Sequence, residues 1–373
     1  MASPIPTHHK AVVYDKPGEI STRIETVETP APGAGQVLVH LTHSGVCSSD
    51  HGIMTNQWTH LPPTPAGQVG GHEGVGIIAA FGAGAEAAAA AGGLKLGDRV
   101  GIKWIASICG ACIACLAGRD AMCPAAQVSG FYLPGTFQQY VLAPANYVTP
   151  IPEGVPSDLA APLLCGGVTV YAALKKSRAQ PGDHVVISGA GGGLGHLAVQ
   201  IASRGMGFRV IGIDSGEKEE FVRSLGAEAF FDMTKYSRDQ AGSDKLAEDV
   251  KAATLRGVGA ASVIVCAGSN PAYGQALGFL GFGGTLVCVG LPEGAPVPIA
   301  GAFPGNLVGR ELAIIGSAVG NRKEAIETLD LAAREVVKTH FVLEPMSKLT
   351  DVFERMGRME LQGRVVLDLS REY

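Results

Sequence analysis

The sequence predicts an α/β protein of two domains, one mostly β and irregular, the other a doubly wound parallel sheet. The chain has 373 residues, whereas single hydrophobic cores stop growing near about 250–300 residues. Its second half alternates β-type apolar runs with helical patterns, which is typical of a parallel sheet covered on both faces. Its first part has short strand-like runs and frequent Pro and Gly, which favours a mostly-β domain.

The amino-acid composition limits the kinds of molecule that the protein is expected to bind. The chain is 46% hydrophobic and 17% charged with a net charge of −5, so it offers no basic field for nucleic acid or anionic lipid. No apolar run approaches the roughly 18 residues of a membrane span, and the start lacks the order of a secretory signal. We therefore expect a small-molecule partner, no nucleic acid, no membrane and a cytoplasmic location, where the eight cysteines indicate metal binding rather than disulfides.

The first domain contains a low-complexity segment and a dense cysteine loop. Residues 82–93 are nearly all Gly and Ala, which predicts a surface loop in which the Ala run could add a helical turn. Four thiolates in the spacing C-x2-C-x2-C-x7-C can surround one tetrahedral zinc: Cys109, Cys112, Cys115 and Cys123. The alternatives are four unrelated thiols and an iron–sulfur cluster. The four-cysteine motif of bacterial iron–sulfur clusters, however, has three residues before its last cysteine, not seven. A closed four-thiolate site predicts a structural metal, bracing the lobe between Trp104 and Phe131.

Candidates for a second zinc site lie apart from this loop. A catalytic zinc needs three protein ligands and one free position, and Cys47, His72 and Cys165 each have small residues nearby. Spacing alone does not select them. For any one of them, a buried cysteine or a hydrogen-bonded core histidine is the commoner explanation, so the hypothesis depends on all three together.

The second domain begins with a βαβ pattern. Leu194, Leu197, Ala198 and Ile201 fall at helical spacing between its first two strands. Six near-continuous apolar runs predict the strands of its parallel sheet: 185–188, 209–214, 229–231, 262–266, 285–289 and 312–315. After them, a helical segment over 323–337 and a strand over 364–367 predict that the chain returns to the first domain. The expected domains are therefore 1–165, completed by 319–373, and 166–318.

A glycine-rich turn predicts a dinucleotide site. The turn 188–195 follows a strand and opens the helix, so its backbone amides can receive a pyrophosphate. The turn departs from the consensus G-x-G-x-x-G. When the motif is aligned so that its last glycine is Gly195, its first position is Ala190. Asp214, at the end of the second strand, can bind ribose hydroxyls and would repel a 2′-phosphate, which favours NAD over NADP. A structural glycine turn in another α/β protein is the alternative.

Long stretches of the chain resemble the zinc-containing medium-chain alcohol dehydrogenases, most closely their yeast and fungal branch. The resemblance covers nearly all of the sequence and is carried by stretches such as 101–104, 135–140, 187–200 and 316–322. It implies a GroES-like catalytic domain built from both chain ends and a Rossmann NAD-binding domain inserted between them. It also implies two zinc ions per chain, one catalytic and one structural, reversible hydride transfer between an alcohol and NAD+, and a homo-oligomer, tetramer or dimer.

The resemblance also implies residue roles. Cys47, His72 and Cys165 would bind the catalytic zinc, with Glu73 beside it as an outer or exchangeable ligand. Asp50 would hydrogen-bond the far nitrogen of His72, and Ser49 would accept the alcohol proton. The implied coenzyme contacts are Gly192, Gly193, Leu194, Asp214, Lys218, Val289, Ser317 and, on the pyrophosphate, Arg364. A solvated lysine at a helix start is the alternative for Lys218.

One position departs from the family pattern. Gly52 replaces the histidine that relays the proton to the surface, and His51 stands one residue earlier. In a helix this shift turns a side chain by about 100°, so we expect His51 to be an exposed bystander near the coenzyme. The proton would then leave through water or the ribose hydroxyl.

The substrate remains open at this stage. Trp58 and Trp104 match aromatic residues that narrow the substrate pocket in the yeast branch, which favours a small or slender primary alcohol, although core packing explains them equally well. The alternative enzymes are a polyol or secondary-alcohol dehydrogenase and a carbonyl reductase of a specialised pathway on the same scaffold. The alternative outside catalysis is a nucleotide-binding sensor braced by zinc.

Overall fold

The computed structural model describes residues 4–58, 61–292, 297–358 and 360–371. The chain divides into two compact units. The first comprises Met1–Cys165, Gly320–Ala333 and Thr339–Tyr373, and the second comprises Gly166–Val319 and Arg334–Lys338. The short segment 334–338 thus falls in the second unit, whereas the sequence placed it with the first.

The first unit begins with short strands and few helices. Its strands up to residue 165 are β1 (His8–Tyr14), β2 (Thr22–Glu28), β3 (Gln36–Val46), β4 (Gln68–Val69), β5 (Gly74–Phe81), β6 (Arg99–Ile102), β7 (Ile105–Ser107), β8 (Gln127–Val128), β9 (Tyr140–Pro144) and β10 (Thr149–Pro150). Its helices there are α1 (Ser48–Met54), α2 (Ala85–Ala91), α3 (Ile113–Leu116) and α4 (Ser157–Ala160).

The second unit alternates helices and strands. Its helices are α5 (Gly166–Lys176), α6 (Gly195–Gln200), α7 (Glu219–Ser224), α8 (Gln240–Ala252), α9 (Asn270–Phe279) and α10 (Pro304–Arg310). Its strands are β11 (His184–Ser188), β12 (Arg209–Asp214), β13 (Ala227–Asp232), β14 (Ala260–Val265), β15 (Leu280–Cys288) and β16 (Ala313–Gly316). The first unit is then completed by α11 (Arg322–Ala333), β17 (Phe341–Pro345), α12 (Leu349–Gly357) and β18 (Arg364–Asp368).

The main sheet of the first unit has the strand order β10-β6-β5-β3-β18-β17 within the described residues, with β9 also paired to β3. The closing strand β18 pairs antiparallel with the end of β3, with Val365 opposite Val46. This pairing places β18 in the main sheet of the first unit. It also brings Arg364, the first residue of β18, next to the segment that follows β3.

The second unit is a parallel sheet. Among the described residues its strand order is β13-β12-β11-β14-β15-β16, and each neighbouring pair is parallel. All six expected strands are present. Apolar residues of four strands form a buried core with α8 and α9, which explains their near-continuous apolar runs: Val186, Ile211, Val263 and Leu286. The predicted α/β fold class is confirmed.

Two local expectations differ from the structure. The Gly/Ala segment contains helix α2, not only a loop, because alanine is the strongest helix former and Ala85 and Ala89 are buried. Helix α11 ends at Ala333 rather than at 337, since Glu335 adopts a φ of 58°, which a right-handed helix cannot include. No single described helix is long and apolar enough to cross a membrane, although Ser157–Leu164 and Gly166–Lys176 together pass that test by length and composition.

Candidate functional site

A buried cluster of metal-binding side chains lies in the first unit. One sulfur, nitrogen or oxygen atom from each of Cys47, His72, Glu73 and Cys165 lies within 4.8 Å of the others. His72 Nε2 is 3.2 Å from Cys165 Sγ. The three zinc candidates, which are far apart in sequence, are therefore brought together. Two thiols and an imidazole are ligands that zinc prefers, and three of them leave a fourth position open.

The elements around β3 position this cluster. Cys47 follows β3 and precedes α1, and its backbone N–H donates to Asp50 Oδ2 at 3.0 Å. The other oxygen of Asp50 lies 2.8 Å from His72 Nδ1. Because Asp50 accepts the Nδ1 proton, His72 Nε2 is left with its lone pair directed at the cluster. The expected contact between Asp50 and His72 is confirmed.

Glu73 adds a buried carboxylate. Its Oε1 accepts from the Arg364 guanidinium in a buried ion pair, while its Oε2 has no hydrogen-bond partner among the described residues. A side chain at Gly45 would overlap Glu73 Oε2, so only glycine leaves room for this carboxylate. A buried oxygen without a hydrogen-bond partner, beside two thiols and an imidazole, fits a nearby cation, because a buried polar atom is otherwise unfavourable without a partner.

Burial and neighbouring groups shift the pKa values of side chains in the cluster in different directions. The Cys165 thiol and His72 hydrogen-bond to Cys47 and lower the pKa of its thiol, and the thiolate is the form that binds metal. Burial raises the pKa of Glu73 to about 7, although Arg364 opposes this rise.

Aromatic rings border the cluster on one side. The Trp104 ring lies edge-on to His72 with a centroid distance of 4.8 Å, and Trp58 lies 5.9 Å from Trp104. Ser49 is half-buried in the first turn of α1.

The expectation that His51 is exposed is wrong, since it is only 9% exposed and its ring lies 6.1 Å from that of Phe353. The one-residue shift turns this side chain toward the packing surface of α12.

The four-cysteine loop forms a second cluster in the same unit. The sulfurs of Cys109, Cys112, Cys115 and Cys123 all lie within 4.8 Å of one another. Backbone amides of Ala111 and Cys112 donate to Cys109 and lower the pKa of its thiol to about 6. The loop connects β7 to β8, and its cysteines are unbridged. Four converging sulfurs with no further ligand fit a closed tetrahedral zinc site.

The coenzyme candidates of the second unit gather at the carboxyl ends of its parallel strands. The turn Gly192, Gly193 and Leu194 follows β11, and Asp214 ends β12. Gly189 opens the turn with a φ of 78°, and a side chain at Gly195 would collide with its carbonyl oxygen. Ligands of open α/β sheets bind at this edge.

Asp214 is held in place by its neighbours. Its Oδ2 accepts from Gly191 N at 2.8 Å, and its Oδ1 accepts from Ser215 N at 2.8 Å and from Lys218 Nζ at 3.3 Å. The glycine turn and the strand end are thus joined directly. Lys218 lies beside the turn, since a side chain at Gly191 would be 2.7 Å from its Cδ.

The remaining coenzyme candidates are divided between the two units. Val289 follows β15, and its N–H donates to the Tyr273 hydroxyl at 3.1 Å. Ser317 follows β16, and its hydroxyl accepts from Lys176 Nζ at 3.0 Å. Arg364 belongs to the first unit, where it pairs with Glu73, and its expected contact with a pyrophosphate stays a prediction.

Sequence reasoning missed several residues near the metal clusters. Lys103 and Gly45 are buried beside them, and Asp120 and Tyr147 link the cysteine loop to Lys103. The one sign of these residues in the sequence was a lysine, Lys103, inside the apolar run Gly101–Ile105. The others carry no pattern of their own, because their contacts are long-range.

Comparison with known proteins shows the family. Residues 33–153 match the alcohol dehydrogenase GroES-like domain, and residues 193–334 match the zinc-binding dehydrogenase domain. Alcohol dehydrogenase 2 of Emericella nidulans is 59% identical over 99% of this chain and 100% of that protein. The chain belongs to the zinc-containing medium-chain alcohol dehydrogenases. The alcohol dehydrogenase of Schizosaccharomyces pombe is 42% identical over 97% of both chains.

Solved structures of this alcohol dehydrogenase family agree in fold. The enzyme of the archaeon Aeropyrum pernix superposes with a TM-score of 0.83 at 30% identity, covering 96% of this chain and 99% of that one. Acetophenone reductase of Geotrichum candidum in complex with NAD gives a TM-score of 0.81 at 26% identity and 98% coverage of both. The chain is thus a zinc alcohol dehydrogenase, in agreement with its two clusters of metal-binding side chains.

Proposed function

We propose that Cys47, His72 and Cys165 bind the catalytic zinc and that the four-cysteine loop binds the structural one. The observation that supports this most strongly is the buried cluster itself, in which His72 Nε2 lies 3.2 Å from Cys165 Sγ. Glu73 is an outer or exchangeable ligand, since its Oε2 lacks a partner among the described residues.

The residues around the cluster have defined tasks in hydride transfer. When bound, zinc supplies Lewis acidity that lowers the pKa of an alcohol hydroxyl, and NAD+ supplies the hydride acceptor. Ser49 accepts the hydroxyl proton as the alcohol is oxidised and returns it when a carbonyl is reduced. Asp50 holds His72 in the tautomer that keeps Nε2 available. The Trp104 ring excludes water from one side of His72.

For the coenzyme, we propose a site at the carboxyl edge of the second unit's sheet. Gly192, Gly193 and Leu194 present the turn to the pyrophosphate, and Asp214 with Lys218 binds the ribose hydroxyls. Val289 and Ser317 lie along the same edge, and Arg364 contacts the pyrophosphate. Asp214 favours NAD over NADP.

The preferred substrate is a small or slender primary alcohol or its aldehyde. Two indole rings within 5.9 Å of each other beside His72 fill space that a branched substrate would need. Polyol or secondary-alcohol oxidation and specialised carbonyl reduction are the competing activities on this scaffold. NADH absorbance measured against a panel of primary, secondary and polyhydric alcohols tests this: the highest kcat/KM falls on a short primary alcohol, and a polyol or bulky ketone at the top of the ranking contradicts it.

The cellular setting is proposed on separate grounds. Eight unbridged cysteines fit a reducing compartment, so we place the enzyme in the cytoplasm. Large apolar side chains are exposed on the second unit, including Phe282, Leu291 and Val308, which supports a homo-oligomer, a tetramer or a dimer. The two domains, 1–165 with 319–373 and 166–318, carry the catalytic and coenzyme functions respectively.

A further inference from the structure

Lys103 is a buried charged residue that the roles above do not use. It is 4% exposed, and its Nζ donates to the Tyr147 carbonyl oxygen at 3.2 Å and lies 4.0 Å from the centroid of the Tyr147 ring. Burial lowers the pKa of Lys103 to about 7, with repulsion by Arg322 adding to this effect and attraction by Asp120 opposing it. An apolar side chain of similar length would fill this space without desolvating a charge.

Tyr147 connects Lys103 to the four-cysteine loop. Its hydroxyl donates to Asp120 Oδ2 at 2.6 Å, and the backbone N–H of Arg322 donates to the same oxygen at 3.1 Å. Asp120 begins the short 3-10 turn Asp120–Met122, directly before the last cysteine of the loop. The position of Asp120 therefore depends on how the loop is folded around its metal.

At its backbone end Lys103 is joined to a residue that lies beside the catalytic cluster. It is followed by Trp104, whose ring lies 4.8 Å from His72 and 5.9 Å from Trp58. The backbone carbonyl of Trp104 accepts from Ser129 N at 3.0 Å, within the hairpin that carries the cysteine loop. Side-chain contacts thus link Asp120 through Tyr147 to Lys103, and the backbone joins Lys103 to Trp104, whose indole lies beside His72.

We propose that Lys103 is a positioning residue that couples the four-cysteine loop to Trp104. The metal state of the loop sets the packing of Trp104 against His72 and thereby the shape of the substrate pocket. The inference relies on the proposed placement of the structural zinc in the loop. Buried polar networks hold one arrangement strongly when every member is satisfied, and coupling of this kind is measurable by combining substitutions.

The chain offers a direct optical readout. Its only two tryptophans are Trp58 and Trp104, so tryptophan emission reports on the pocket alone. Cys109 is exposed and Cys112 and Cys115 are half-exposed, while Cys47 and Cys165 are buried, so a mercurial thiol reagent reaches the loop before it reaches the buried cluster. Zinc released into a chromophoric chelator and tryptophan emission are recorded together on the zinc-loaded enzyme, after its zinc content has been counted.

Three variants complete the experiment. Tyr147→Phe removes the hydroxyl that holds Asp120 but keeps the ring and carbonyl that face Lys103. Lys103→Met removes the ammonium and keeps the length. Tyr132→Phe is the matched control, because Tyr132 is exposed on the same unit and lies outside these contacts. Each variant is also assayed for the ratio of kcat/KM between a longer and a shorter primary alcohol.

In the wild type and in Tyr132→Phe, tryptophan emission is expected to change with the same rate constant as release of the first zinc. In Tyr147→Phe and Lys103→Met, zinc is released but the emission amplitude falls several-fold, and the kcat/KM ratio shifts by about two- to thirtyfold. The double variant is expected to shift the ratio no further than either single one. The inference is overturned if the tryptophan emission of the wild type does not change when zinc is released. It is also overturned if Tyr147→Phe and Lys103→Met give the same emission change and kcat/KM ratio as Tyr132→Phe. If the initial zinc count shows that the purified enzyme has no zinc in the loop, the metal assignment itself is overturned. This outcome is therefore distinguished from a failure of the proposed coupling.

Discussion

Individual side chains around the buried cluster each satisfy one need of a metal ligand. Asp50 fixes the tautomer of His72, and Cys165 and His72 lower the pKa of the Cys47 thiol. One buried oxygen of Glu73 has no hydrogen-bond partner among the described residues. The sequence predicted the ligands through their resemblance to a family. It did not predict the burial of His51, because that depends on Phe353, which is about 300 residues away and carries no local signal.

Ser49 and His51 are expected to differ sharply in their importance. Ser49→Ala should lower kcat by about 10²–10⁴-fold, the usual contribution of a positioned proton acceptor. His51→Gln should lower it by less than about tenfold, since His51 packs against Phe353 rather than acting as a relay. Steady-state kinetics across pH 6–9 measure both. A loss of two orders of magnitude in His51→Gln, together with loss of a titration near neutral pH, would show that His51 is the relay.

Asp214 is expected to determine the choice of coenzyme. The wild type should have a higher kcat/KM with NAD than with NADP, because the carboxylate repels a 2′-phosphate. Asp214→Ser should change the ratio of the two values by at least about tenfold in favour of NADP. Asp244→Ser, on the exposed side of α8, is the control and should leave the ratio unchanged. Equal efficiency with both coenzymes in the wild type contradicts the assignment.

Lys103 is expected to make stability depend on pH. Its folded-state pKa of about 7 lies below the value of about 10.4 for an unfolded lysine, so the unfolded chain binds the proton more tightly. The destabilisation is complete below about pH 7 and disappears as pH rises toward 10.4. Lys103→Met should therefore raise the free energy of unfolding by about 1–3 kcal/mol at pH 6 and by less at pH 9.

Denaturant unfolding at the two pH values measures this difference. The control is Lys95→Met at an exposed position, which should change stability by less than about 0.5 kcal/mol at both. An equal effect of Lys103→Met at pH 6 and pH 9 would argue against a buried ammonium.

At the scale of elements, strand ends and the turns that follow them place several of the candidate groups. Cys47 follows β3, Asp214 ends β12, and Val289 and Ser317 follow β15 and β16. Apolar runs in the sequence predicted β12, β15 and β16, since buried parallel strands are nearly continuous in apolar residues. The end of α11 was not predictable in this way, because the left-handed conformation of Glu335 is not encoded by a Gly or Asn at that position.

The close approach of β3 to Glu73 gives a prediction about Gly45. Gly45→Ala should displace Glu73, because the added methyl group overlaps its Oε2, and overpacking of this kind costs about 1–3 kcal/mol. Gly309→Ala, in α10 with no atom within 4 Å of the added carbon, should instead stabilise the helix by about 0.5–1 kcal/mol. Thermal unfolding and zinc content test both. An unchanged melting temperature and zinc content in Gly45→Ala would mean that Glu73 has more room than the structure shows.

At the scale of the whole molecule, the chain divides into a unit that holds both clusters of metal-binding side chains and a parallel-sheet unit that holds the glycine turn. The sequence predicted both, and the fold class and the six parallel strands are confirmed. The exact domain bounds and the residue roles stay predictions. The sequence did not predict the roles of Lys103, Tyr147 and Asp120, because their contact network joins segments up to 202 residues apart, which no local periodicity reveals.

The central claim is that one chain holds two zinc ions in two separate clusters. Elemental analysis of protein that has never been exposed to a chelator tests this claim most directly. The account predicts two zinc ions per chain, falling to one when Cys112→Ser opens the loop, and to one when Cys47→Ser opens the buried cluster and abolishes activity. A reproducible value near one in the unsubstituted chain would contradict it, because one of the two clusters would then bind no metal.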